Sequence, residues 1–131
     1  MNTLRTLEAI AIQAKVMLDQ QRAYFKTKSD HPGKYQALNA SKQEESKLRL
    51  MVSEATKVPS NDKKTQAMIE AICILITEVF QWQQTYFNAA WGTPEKYAAL
   101  DKCRQDLEPK LREAIKDSLS FVQNHQTPSL F

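Results

Sequence analysis

Glycine is nearly missing from this chain, with two residues in 131, and proline occurs only five times. So little punctuation excludes a fold of many short strands and tight turns, and leaves a few long regular elements. Two cysteines, Cys73 and Cys103, are too few for a disulfide scaffold. Long apolar runs are also missing. The most apolar stretch, 71–76, sits between Glu70 and Glu78 and falls far short of a membrane span. Glu8 interrupts the apolar N-terminal stretch before it reaches the length of a signal-peptide core. The expectations are a cytosolic location and no membrane partner.

Histidine is scarce too, and this bears on chemistry. The two present, His31 and His125, are preceded three residues earlier by Lys28 and Val122. A di-iron bundle needs Glu-x-x-His on facing helices, so that reading fails, and Glu8, Glu70 and Glu78 read as solvated carboxylates. No glycine-rich phosphate loop and no Ser/His/Asp set occurs. Cys73 falls on an apolar stripe and reads as a small core residue. It lies 19 residues before Gly92 and Cys103 lies 11 after it. In a hairpin folded at that glycine, a rise of 1.5 Å per residue leaves about 12 Å of axial mismatch, too far for a disulfide. An enzyme, a cofactor and a metal are therefore not expected.

What the chain does have is a repeat. Shifted by 62 residues, segment 8–38 falls on 70–100 with 12 identities in 31 positions and no gap, where ordinary residue usage gives roughly two. The identities include Gln21/Gln83, Tyr24/Tyr86, Phe25/Phe87, Pro32/Pro94, Lys34/Lys96, Tyr35/Tyr97 and Leu38/Leu100. This reads as an internal duplication, with copies at 1–62 and 63–125, a frayed tail at 126–131, and one domain over 1–131.

Each copy reads as helix, short turn, helix. Leu4, Leu7, Ala11, Ala14, Leu18 and Phe25 form one apolar stripe, and Ile69, Ile72, Cys73, Ile76, Val79, Phe80 and Phe87 form its counterpart. The second helices are expected to bury Tyr35, Leu38, Leu48, Val52 and Ala55, then Tyr97, Leu100, Leu107, Leu111, Ile115 and Val122. Pro32 and Pro94 suit first helical positions, Thr93 suits an N-cap and His31 is a poorer one. The segment 58–62 links the copies, with Pro59 ending one helix and Asp62 capping the next. Four helices of about 25 residues, each about 38 Å long, make an all-α up-down-up-down four-helix bundle.

One irregularity stands out. Beyond Leu100 the match improves at an offset of 63, pairing Lys47-Leu48-Arg49 with Lys110-Leu111-Arg112. Copy two thus holds one extra residue beside Pro109, and a kink or one-residue bulge is expected near Glu108.

The difference between the copies at their tips points to a candidate site. The first tip is basic, with Lys26, Lys28 and Lys34, while the second is almost uncharged and carries Trp91. Both tips lie at one end of the bundle, so cations and an aromatic would be neighbours and could bind an acidic protein or single-stranded nucleic acid. The plainer alternative is a solvated turn with Trp91 packed onto the helices. The shared Tyr24-Phe25, Tyr35, Tyr86-Phe87 and Tyr97 read as aromatics closing the tips. Ile12, Val16 and Ile74 lie off the main stripes, as core edge or as a homodimer face.

Gln21, Tyr24-Phe25-Lys26, Pro32, Tyr35, Leu38 and Glu45 together resemble a Gln-x-x-Tyr-Phe helical hairpin of short uncharacterised proteins of phages and mobile elements. Copy two departs from it at Asn88. The resemblance implies a small accessory protein and no site residues. A non-enzymatic protein-interaction module is the leading expectation, with a nucleic-acid binder using the basic tip second. A small-molecule-binding bundle is third, to be favoured if the interior holds a large pocket.

Overall fold

The computed structural model describes residues 3–26, 33–57 and 62–126. They form α1 (Thr3–Lys26), α2 (Gly33–Lys57), α3 (Lys63–Asn88), α4 (Pro94–Asp101), a π-helical segment (Lys102–Leu107) and α5 (Glu108–Gln126). The last three run on as one rod, giving four helical rods and, among the described residues, no strand.

Cross-helix bonds set the direction of each rod. Gln13 of α1 reaches the Glu44 backbone carbonyl of α2 at 3.1 Å, and Arg22 of α1 reaches Glu108 of α5 at 3.2 Å. Lys96 of α4 reaches the carbonyl of Tyr86 in α3. Lys34, at the start of α2, likewise reaches Tyr24, near the end of α1, and Asp19, before Arg22 in α1, meets Arg112, after Glu108 in α5, so neighbours run antiparallel. Gln21 and Gln83 meet at matching points of α1 and α3, which are parallel. The rods therefore alternate up, down, up, down. α1 packs mainly on α2 and α5, α3 mainly on the fourth rod, and α1 also touches α3. α2 and α3 barely meet, and α2 and the fourth rod stay apart.

Helix starts follow the local chemistry. Asp62 caps α3, accepting from the Lys64 amide at 3.2 Å and the Thr65 hydroxyl at 2.6 Å. Thr93 caps α4 through the Lys96 amide, with Pro94 in the first turn. Gly92 takes φ +80° in the turn before it, a conformation that costs other residues energy. His31, Pro32, Pro59 and the tail beyond Gln126 lie outside the described residues.

The core is built where the stripes place it, but at one end of the bundle. Leu7, Ile10, Ala14 and Met17 of α1 have no exposed surface, nor do Leu48, Ile76 and Leu111 of the other rods. Each large side chain so buried stabilises the fold by about 1.5–3 kcal/mol. Toward the tips the packing thins. No residue of α1 is buried beyond Leu18, and none of α3 beyond Phe80. Tyr35 and Tyr97, expected inside, are 70% and 62% exposed. Their inward slot is taken by the preceding lysine: Lys96 is buried, its ammonium donating to the Tyr86 and Ala89 carbonyls at 2.9 and 3.2 Å. Phe25 and Phe87, placed on the core stripes, are also exposed, at 37% and 53%. Leu38 and Leu100 are half-buried.

The irregularity at Pro109 is a π-helical segment. The Glu108 amide donates to the Cys103 carbonyl, five residues back. Proline has no N–H to give, and its ring crowds the carbonyl four residues before it. A wider turn just ahead of it absorbs one extra residue and relieves that clash, while Leu107 and Leu111 both stay in the core.

Candidate functional site: a cavity between the hairpins

The core ends at Leu18 and Phe80, and a cavity of about 810 Å³ opens there toward the tips. All four rods line it. Its walls are mostly apolar and come from matching positions: Leu18 and Phe80, Gln21 and Gln83, Tyr24 and Tyr86, Phe25 and Phe87, Leu38 and Leu100, Ser41 and Cys103.

Three local arrangements hold these walls. Gln21 and Gln83 exchange two amide hydrogen bonds, at 3.0 and 2.7 Å, tying α1 to α3. Four rings follow in edge-on contact: Tyr24 to Phe25 at 5.1 Å, Phe25 to Tyr86 at 6.2 Å, and Tyr86 to Phe87 at 5.2 Å. Each tyrosine is covered by a lysine ten residues on. Lys34 sits 4.3 Å from the Tyr24 ring and donates to its carbonyl at 3.3 Å. Lys96 sits 4.2 Å from the Tyr86 ring and bonds its carbonyl. Both cations thereby face a helix C-terminus, where the dipole favours positive charge.

The charged lining is largely cationic. Glu45 pairs with Arg49 at 2.8 Å, and the Arg49 guanidinium lies over the Phe80 ring at 4.1 Å. Glu108 binds Arg22 at 3.2 Å and the Arg112 Nε at 3.1 Å. Arg104 lies 5.1 Å from the Phe25 ring, and Lys26 and Lys42 complete the lining. Burial pushes the Cys103 thiol up to about 11, helped by the Glu108 charge, and raises the Tyr86 phenol, with Tyr24 adding to it. Both groups are neutral at physiological pH. Cys73 is buried in the core, and burial pushes it to about 11 as well. Neither cysteine is in a disulfide.

The residues singled out for the tip are distributed differently. Lys26 is exposed on the rim of the cavity. Lys34 is occupied by the Tyr24 ring and carbonyl. Lys28 lies outside the described residues. Trp91 is 85% exposed, with the Lys96 ammonium 4.5 Å from its ring, so it does not pack down onto the helices. Of the proposed dimer face, Ile12 and Ile74 are 48% and 60% exposed and Val16 is half-buried. Among the described residues no three His, Cys, Asp or Glu side chains gather as a metal site, and no helix is long and apolar enough to cross a membrane.

Sequence reasoning placed the shared aromatics at the tips but missed the cavity they line. A signal was present. Gln21 and Gln83 are polar residues one turn beyond Leu18 and Phe80, each on an apolar stripe, where a continuous core would carry an aliphatic side chain. No family model, no curated protein and no solved structure matches the chain.

Proposed function

We propose that this chain is a non-enzymatic binding protein whose ligand occupies the cavity between the two hairpins. The supporting observation is the cavity itself. A space of about 810 Å³ with apolar walls and a few polar groups has the size and composition of small-ligand sites. Its two carboxylates are held in arginine pairs and its thiol stays protonated, which suits holding a molecule better than transforming one. The duplicated sequence accounts for the matching walls: a hairpin copied in tandem would bring each wall residue opposite its twin. A cytosolic role fits the composition.

The test is titration with the neutral apolar fluorophore N-phenylnaphthylamine. Native protein should enhance its fluorescence at a single site. Leu38→Trp, which fills the space from α2, should weaken binding about tenfold, a loss of about 1.4 kcal/mol. Ile12→Gln, on an exposed face away from the lining, should leave it unchanged. Equal binding by native protein and Leu38→Trp, with helicity intact in both, would rule the cavity out.

A protein partner at the tip is the second reading, favoured by the exposure of Trp91. It is compatible with the first, since Lys26 lies on the cavity rim.

A further inference from the structure

The charges on the two sides of the cavity are unequal, and this bears on what would fill it. The wall from α1 and α2 carries four cations, Arg22, Lys26, Lys42 and Arg49, against the single carboxylate of Glu45. The wall from α3 and the fourth rod carries Arg104 and Glu108. Ion pairing uses up part of this set: Arg49 answers Glu45, and Arg22 answers Glu108. Among the described residues, Lys26, Lys42 and Arg104 have no carboxylate partner. They stand around an aromatic and aliphatic space whose neutral polar groups, the Gln21 and Gln83 amides, already satisfy one another.

An apolar interior with surplus cations selects by both properties. Lys26, Lys42 and Arg104 are exposed and hydrated, so a neutral apolar molecule would gain nothing from their charge, and a cation would meet repulsion close to low-dielectric walls. A hydrophilic anion would gain nothing from the rings. We infer that the cavity binds a small amphipathic anion, with its apolar body against the row of Tyr24, Phe25, Tyr86 and Phe87 rings and its acidic head toward Lys42 and Arg104. This rests on the cavity being the ligand site. The arginine already lying over Phe25 gives the head a partner next to the apolar space, where a charge-assisted hydrogen bond is stronger than in bulk water.

The experiment compares three ligands with the same chain, dodecanoate, dodecanol and dodecyltrimethylammonium, each below its micelle concentration, by displacement of the bound fluorophore. Dodecanoate should bind at one site about tenfold more tightly than either of the others, with an advantage that shrinks as salt rises. The double variant Lys42→Gln, Arg104→Gln should bind dodecanoate about tenfold more weakly than native protein, whereas Lys116→Gln, exposed on α5, should match native protein. Equal affinity for the three ligands would overturn the anion assignment and leave the cavity as a neutral site. A preference for dodecanoate that survives in the double variant would overturn it equally. If none of the three displaces the fluorophore, the cavity reading falls as well.

Discussion

Lys34 and Lys96 illustrate how one residue can be read in two ways. On composition alone Lys34 is part of a basic tip. In the fold it and Lys96 each reach back ten residues, cover a tyrosine ring and donate to that tyrosine's carbonyl. A helix ends with carbonyls that have no partner within it, and a long cationic side chain from the next helix can supply one. Lys96 is the more deeply set, being buried and bonding two carbonyls. Lys96→Met keeps the apolar stem and removes the ammonium. Unfolding in urea should show a loss of about 2 kcal/mol, with a smaller loss for the less buried Lys34→Met. Equal and negligible losses would mean that the ammonium groups do not hold the hairpin tips. The repeated lysines were legible in the sequence, but their function was not, because it depends on a carbonyl brought near by the turn.

The fourth rod shows what can be settled at the scale of an element. A slip in the repeat from 62 to 63, next to Pro109, is enough to predict one extra residue near Glu108. The π-helical segment Lys102–Leu107 places it. A π turn takes up a residue while keeping the helix faces on either side in register, so removing that residue should restore an α-helix. The proline would then clash again, at a cost of about 3 kcal/mol. Deleting the exposed Gln105 together with Pro109→Ala should therefore leave a folded bundle that melts cooperatively. Deleting the exposed Gln43 from the uninterrupted α2 should not, since it turns Leu48 and Ala55 away from Ser41 by about 100°. Circular dichroism melts of the two deletions distinguish these outcomes. The caps at Asp62 and Thr93 were equally plain, being local by nature. The burial of Tyr35 and Tyr97 was misread because periodicity gives a helix its apolar side without saying how far along the axis a neighbour covers it.

Across the whole molecule the uneven core is the governing feature. Packing is dense from the Leu7 and Val122 end of the bundle to Leu18 and Phe80 and opens into a cavity beyond them, with Trp91 standing in solvent on the cavity side. The cavity and the tip make separate predictions. If the tip docks a protein, Trp91→Ala should weaken that complex by about 2 kcal/mol and leave fluorophore binding untouched. If the tip binds nucleic acid, affinity for single-stranded RNA should fall steeply between about 50 and 200 mM salt and drop further in Lys26→Glu. Filter binding across that salt range, alongside calorimetry with a captured partner, separates the two. Absence of RNA binding at low salt would remove the second.

The sequence by itself determined the helices, their number, the caps at Asp62 and Thr93 and the site of the interruption in the fourth rod, and the stripes marked out most of the core. These depend on interactions within a few residues or on a periodicity of 3.6, both written along the chain. Tertiary structure alone decided that Gln21 meets Gln83, that Phe25 of α1 meets Tyr86 of α3, and that α2 and the fourth rod stand apart over an open space. Such pairings depend on the distances between rods, which follow from the bulk of every side chain packed between them, and no local pattern carries that sum.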